Sequence, residues 1–163
     1  MTLIRKASLR DVPRIVDLWK EFMNDHDDIV LKRNKRLKSY TLRKAKAANN
    51  YKVHTQKLIK SKKGVILVAE NDNELLGFTL LIIKGEIPIF KIKKIGYIAD
   101  LFIRKKLRGK SIGSKLMKES IKWFRKKGLK YISVGLYADN TPAHSFYKKK
   151  TFFDYKIEMR RKI

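Results

Sequence analysis

The sequence predicts an α/β domain, and three observations carry that expectation. Apolar residues first recur at helical spacing, at Val12, Ile15, Val16, Trp19, Phe22 and Met23. They then give way to short continuous runs of strand length, 65–70, 75–83 and 95–103, before a helical pattern returns at Leu116, Met117, Ile121 and Phe124. The chain has 163 residues, without internal repeats, Pro-rich linkers or low-complexity segments, which is the length of one domain of about 100–200 residues.

Residues 2–7 read as a strand that enters the first helix. Asp11 suits its N-cap, and Pro13 falls in the first turn, where a missing N–H costs little. This helix is expected to end in the acidic stretch Asn24-Asp25-His26-Asp27-Asp28. From residue 32 to 63, Lys and Arg are not offset by a single acid. A weaker helical pattern there, through Leu37, Tyr40, Ala47, Ala48, Tyr51, Leu58 and Ile59, predicts one or two basic amphipathic helices, broken at Asn49-Asn50. The runs 65–70 and 75–83 form a hairpin across the polar connection Asn71-Asp72-Asn73-Glu74. A basic segment containing Gly85 and Pro88 leads to the strand 95–103, a charged loop over 104–111 and a strong helix over 112–127. The last turn of that helix, Arg125-Lys126-Lys127, complements the helix dipole, and Gly128 is placed to stop it. A strand over 129–137, a short helix over 142–149 and a last strand over 152–159 complete the expected order.

Hydrophobic residues make up 44% of the chain and charged residues 34%, enough for a real core under a heavily charged surface. The 41 Lys and Arg exceed the 15 Asp and Glu by 26 charges, which predicts attraction to polyanions such as nucleic acid, anionic lipid or nucleotide phosphates. The absence of cysteine excludes disulfides, thiolate nucleophiles and Cys-based metal sites. His26, His54 and His144 lie far apart and never form H-E-x-x-H, so no metal is expected. Charged residues enter by Arg5 and Lys6, so no secretory signal is expected. The longest apolar stretch, 75–83, falls well short of the ~20 residues of a spanning helix. A cytoplasmic protein that does not enter the membrane is the expectation.

The segment 98–124 carries the most chemical information. Its loop contains Arg108-Gly109-Lys110-Ser111-Ile112-Gly113-Ser114 at the entrance to a helix. Such a turn presents unpaired backbone N–H groups and the positive end of a helix dipole, which suits a phosphate; a solvated basic turn is the plainer reading. Gly109-Lys110-Ser111 looks like the end of a P-loop, but Arg104 stands where that motif needs its first Gly, so a nucleotidase is excluded.

Together with the strand 98–103, the strand 131–136 and the later stretch Asn140-Thr-Pro-Ala-His-Ser-Phe-Tyr147, this loop resembles the GNAT family of acetyl-CoA-dependent N-acetyltransferases. The opening Ile4-Arg5-Lys6-Ala7-Ser8 with Asp11 is similar to the family's first strand and helix entry, so the resemblance spans nearly the whole chain. It implies a mixed, mostly antiparallel central sheet with helices on both faces, whose fourth and fifth strands splay apart as a V around acetyl-CoA. By match to the family's R/Q-x-x-G-x-G/A loop, Arg108, Gly109, Lys110, Ser111, Ile112, Gly113 and Ser114 are expected around the pyrophosphate. Leu101, Phe102 and Ile103 match the strand whose backbone pairs with pantetheine, and Asn140 and Tyr147 match the second cofactor-contacting element. The chain departs from the pattern at Ser111, which replaces the first Gly of G-x-G/A.

The resemblance further implies direct attack of a neutral amine on the thioester, without an acyl-enzyme. Tyr147 matches the family's acid for the departing thiolate; the alternative is that it packs the short helix beside Phe146. Many relatives carry a Glu on the fourth strand where this chain has Ala99, and Asp100 follows. An acid inside an apolar strand has its pKa raised by burial, which suits a base at neutral pH; orienting a water or holding a structural hydrogen bond are the alternatives. A backbone N–H among 101–103 is the expected oxyanion donor.

Glu21, Asp25, Asp27 and Asp28 form the one acidic cluster in a basic chain. In the family this region borders the acceptor site, so Glu21, Asp25 and Asp28 are candidates to recruit a cationic amine: a polyamine, a lysine side chain or a peptide N-terminus. Capping of the next helix by Asp27 or Asp28 is the plainer reading. A different class of function also remains: residues 32–63, with Tyr40 and Tyr51 among the basic side chains, have the charge density of a nucleic-acid-binding module. The partners expected are therefore acetyl-CoA and an amine acceptor, with nucleic acid as the alternative; a homodimer is compatible with either.

Overall fold

The computed structural model describes residues 2–163. Five strands form one sheet in the order β1 (Leu3–Lys6), β2 (Gly64–Asn71), β3 (Glu74–Gly85), β4 (Lys94–Ile103) and β5 (Ile132–Val134). The first four pair antiparallel, and β5 pairs parallel to β4. The helices are α1 (Val12–Arg33), a one-turn α2 (Lys38–Thr41), α3 (Ala47–Ile59), α4 (Ile112–Lys126) and α5 (Thr141–Lys148).

Alternation along the strands makes two cores. Ile66, Val68, Phe78, Leu80 and Phe102 meet Ile15 and Leu18 of α1 and Leu58 of α3 on one face. Val65, Leu67, Leu81 and Ile98 meet Leu116, Met117 and Phe124 of α4 on the other. The sheet thus carries helices on both faces, as expected. Burial of these side chains stabilises the sheet by roughly 1.5–3 kcal/mol each before entropy is charged against it.

The β2–β3 hairpin turns on Asp72 and Asn73, both left-handed, with φ of 48° and 62°. Asp and Asn tolerate that region better than other side-chain-bearing residues, and two such positions match the right-handed twist of the strands. Gly128 adopts φ 75°, and the Leu129 N–H returns to the Phe124 carbonyl at 3.1 Å, closing α4 where glycine predicted it.

Several expectations are corrected. The first helix does not end in the acidic stretch but runs to Arg33, because no Gly or Pro interrupts it and two of the acids find cationic partners. Asn49-Asn50 do not break a helix; they lie in the first turn of α3, and the break falls at 42–46 instead. The strand expected over 129–137 is reduced to Ile132–Val134. The strand expected over 152–159 does not form. Phe153, Tyr155, Ile157 and Met159 alternate as a strand should, yet they remain 75–90% exposed, since alternation gives no ladder without a neighbouring edge to pair with.

Asp11 does not cap α1 through its side chain. It is buried (1% exposed), and its carboxylate accepts hydrogen bonds from Arg5 at 2.8 and 2.9 Å, from Arg14 at 2.6 Å and from the Ser8 N–H at 2.8 Å. Arg5 also donates to Glu70 at 2.7 Å, so the network ties β1, the start of α1 and β2 together. The Arg5 guanidinium holds both Asp11 and Glu70 below the ordinary carboxylate range. Carboxylates depressed in the folded state contribute stability that is present above their unfolded pKa of about 4 and is lost as pH falls through the folded value. Acid should therefore unfold the protein by protonating Asp11 and Glu70 below about pH 4. Asp11→Asn, which buries a neutral amide in place of the carboxylate shared by Arg5 and Arg14, should cost about 2 kcal/mol and reduce that acid transition to the part due to Glu70 in a circular-dichroism titration.

Candidate active site

The site is set by where β4 leaves its neighbours. Between β3 and β4 the register slips: Leu80 faces Asp100 but Leu81 faces Ile98. Ala99 is the extra residue of a bulge. Ile98 points to the α4 core, while Ala99 packs on the α1–α3 face. With regular alternation Asp100 would return to the α4 side. The bulge instead keeps it on the face of Leu80, where the Tyr51 hydroxyl of α3 donates to it at 2.7 Å. Burial raises the Asp100 pKa above the ordinary carboxylate value, against the lowering effects of the Tyr51 hydrogen bond and His54. Tyr51 stacks on Trp19 of α1, with ring centroids 4.6 Å apart.

On its other side β4 pairs with β5 only through Gly96, Tyr97 and Ile98. Beyond Ile98 the two strands part, and Leu101, Phe102 and Ile103 keep β3 as their partner with the opposite edge open. The turn from β4 to α4 closes the end of this gap. Gly109, at φ 80°, needs the freedom of glycine to make the turn. The first helical hydrogen bond runs from the Lys115 N–H to the Ser111 carbonyl at 3.0 Å. The N–H groups of Ile112, Gly113 and Ser114 therefore have no acceptor within the helix and lie at its positive end. Ser111 sits at φ 60°, left-handed for a residue with a side chain. The glycine that the family pattern places here is absent, and the serine bears the strain.

α5 brings the remaining groups. Asn140 caps it by accepting from the Ala143 N–H at 3.3 Å. Phe146 packs where a Gly113 side chain would begin. Tyr147 is buried (6% exposed), edge-on to Phe146 and Phe152 with centroids 5.3 Å away in each case. Burial, then the charges of Asp100 and Tyr97, push its phenol above the usual value, so it holds its proton at neutral pH.

The acidic cluster is engaged rather than free. Glu21 pairs with Arg104 at 3.3 Å, Asp25 with Arg108 at 2.5 Å and Asp27 with Arg43 at 2.5 Å. Asp28 is exposed. Neither Asp27 nor Asp28 caps a following helix, because α1 continues past both. Arg108 also donates to the Ile103 carbonyl at 3.2 Å, so the arginine expected at the pyrophosphate is held between α1 and the end of β4. Tyr51, grouped by sequence with the basic segment, turns toward Trp19 and Asp100. Tyr51, Trp19 and Arg43 are the site residues that sequence reasoning missed, since a contact between positions 51 and 100 leaves no local signal.

The gap between β4 and β5, the open edge of 101–103 and the free N–H groups at the start of α4 fit an extended thiol-bearing nucleotide such as acetyl-CoA. Lys110 and Lys115 lie exposed beside those N–H groups. Two variants probe this loop. Ser111→Gly should raise the melting temperature by about 2–4 °C in thermal denaturation through relief of about 1 kcal/mol of backbone strain. Asp25→Asn, which frees Arg108, should tighten acetyl-CoA binding roughly fivefold by calorimetry, the measure of a half-exposed ion pair worth about 1 kcal/mol.

The pattern of the Acetyltransferase (GNAT) family matches residues 19–152. An uncharacterized N-acetyltransferase of Archaeoglobus fulgidus is 27% identical over 144 residues, 88% of each chain. A predicted acetyltransferase with acetyl-CoA from Clostridium acetobutylicum superposes with a TM-score of 0.78 at 16% identity, covering 99% of this chain and 96% of that one. An aminoglycoside acetyltransferase from an uncultured soil metagenomic sample, in complex with sisomicin, gives 0.69 at 18% identity over 99% and 96%. The two structural likenesses speak for the fold, and the family pattern for more than that: the chain belongs to the GNAT family, the acetyl-CoA-dependent acyltransferases.

Proposed function

We propose that the protein is an N-acetyltransferase that moves the acetyl group of acetyl-CoA directly to a primary amine. The observation that carries this reading is the parting of β4 from β5 beyond Ile98, which leaves the edge of residues 101–103 open, with Asp100 on β4 and Tyr147 on α5 each raised by burial. Leu101, Phe102 and Ile103 offer backbone groups to the pantetheine arm. Residues 108–114 offer N–H groups, and Lys110 a charge, to the pyrophosphate. Asn140 contributes by fixing the start of the helix that carries Tyr147.

Transfer begins when the acceptor amine has lost its proton. Asp100, raised by burial and steadied by the Tyr51 hydroxyl, takes that proton, directly or through a water. The amine nitrogen then forms a bond to the thioester carbonyl carbon, and an N–H of the open β4 edge donates to the oxygen as it gains negative charge. As the carbon–sulfur bond breaks, the electron pair leaves on sulfur and Tyr147 supplies a proton to it. As the carbonyl re-forms, the nitrogen gives up its extra proton, which returns through water to the Tyr147 phenolate; the products are the amide and free coenzyme A thiol, and the chain forms no covalent intermediate.

Tyr147→Phe should lower turnover at least tenfold, within the ~10²–10⁴ range of general acid catalysis, with little change in acetyl-CoA affinity. Asp100→Asn should remove the rising limb of the pH–rate profile. Release of coenzyme A thiol in the presence of amines, followed across pH, measures both; unchanged turnover in Tyr147→Phe takes that residue out of the mechanism.

A further inference from the structure

The chemistry needs an amine, and the chain's surroundings of Asp100 narrow its kind. A cavity of about 360 Å³ opens beside α3. Trp19 and Tyr51 form one wall, stacked with an interplanar angle of 15°. Arg43, Lys44, Asn50 and His54 complete its polar lining, and no carboxylate lines it. Tyr51 belongs to this wall and also donates to Asp100 at 2.7 Å, so one side chain joins the cavity to the group proposed to take the amine's proton.

The charges around it favour one class of occupant. The acids that would recruit a polycation are already engaged: Asp27 by Arg43 through contacts of 2.5 and 2.8 Å, Asp25 by Arg108 at 2.5 Å and Glu21 by Arg104 at 3.3 Å. Lys44 is exposed and, among the described residues, makes no ion pair. A second or third ammonium group entering here would meet Lys44, the cation of the lining that no acid balances, within a chain of net charge +26, and like charges at close range are disfavoured. An anionic group would find a cation at the rim, and an apolar or aromatic body would find the indole and phenol faces of the wall.

We infer that the acceptor site takes an amino carboxylate, namely a primary amine on an apolar or aromatic body that also carries a carboxylate, such as a free amino acid, with Lys44 as the residue that selects the carboxylate. This inference rests on the acetyltransferase reading and names its substrate class. The acidic cluster of α1 then holds its own arginines in place and recruits nothing.

Matched amines test it. Phenylalanine, its carboxamide, phenethylamine and spermidine are offered to the full chain with saturating acetyl-CoA, and thiol release is measured; binding of acetyl-CoA alone is followed separately by thermal shift. The expected kcat/KM for phenylalanine exceeds those for the carboxamide and phenethylamine at least tenfold, with spermidine lowest. Lys44→Glu abolishes that preference while leaving the acetyl-CoA thermal shift intact, and Lys44→Arg retains it. Preference for spermidine, equal use of the amines, or a preference that Lys44→Glu leaves unchanged overturns the inference. A thermal shift with acetyl-CoA but no transfer to phenylalanine overturns it as well and leaves the acetyltransferase reading standing. Absence of both the shift and any transfer overturns the acetyltransferase reading itself.

Discussion

The separation of β4 from β5 is the constraint on which the rest of this molecule depends. Up to Ile98 the fourth strand has a partner on both sides; beyond it one edge of backbone groups is left open. An unpaired strand edge facing a gap must be satisfied by water or by a ligand, and an extended ligand with amides of its own meets that need. The bulge at Ala99 acts on the same strand at nearly the same point. It turns Asp100 away from the face that regular alternation would give it and toward α3. One irregularity in one strand thus turns Asp100 to the α1–α3 face while the edge of residues 101–103 stays open.

The distribution of charge follows from this geometry. A net charge of +26 suggests a polyanion when it is only a number. In three dimensions three groups of cations are set apart by their surroundings. Lys110 and Lys115 lie exposed beside the first-turn N–H groups of α4. Arg43, Arg104 and Arg108 are tied to acids of α1, and Arg104 also to Glu74 of β3, so they brace the helix against the loops around the gap. The lysines of 32–63 are exposed along the end of α1, the connection to α3, α3 itself and the turn that leads into β2. Tyr51, which makes that segment look like a nucleic-acid footprint in one dimension, is instead part of the wall beside Asp100.

The strain at Ser111 has a functional setting. A side-chain-bearing residue held at φ 60° costs on the order of 1 kcal/mol or more, and here it stands at the turn that aims the Ile112, Gly113 and Ser114 N–H groups. The chain keeps the backbone shape of the family loop without the glycine that makes it cheap. Gly109, at φ 80°, supplies the other left-handed position of the same turn at no such cost.

Local patterns were enough for much of this. The hairpin at Asp72-Asn73, the stop at Gly128, the helix entering from a Gly-containing loop and the two cores all follow from short-range spacing, because periodicity and turn chemistry act over a few residues. Leu101 to Ile103 run along the open edge of β4, residues 108–114 make the turn into α4, and Asn140 caps the helix that carries Tyr147. Expectations that needed a partner fared differently. The acidic stretch looked like a helix end until Arg43 and Arg108 engaged two of its acids, and the segment 152–159 looked like a strand although no edge receives it. The sequence by itself determined the order of elements, the apolar faces and the phosphate-suited loop. Only the tertiary structure decided that Asp100 meets Tyr51 and that Arg108 meets Asp25. Those contacts join residues about 50 to 80 positions apart, and their energies exist only after the sheet has twisted and the bulge has turned the chain.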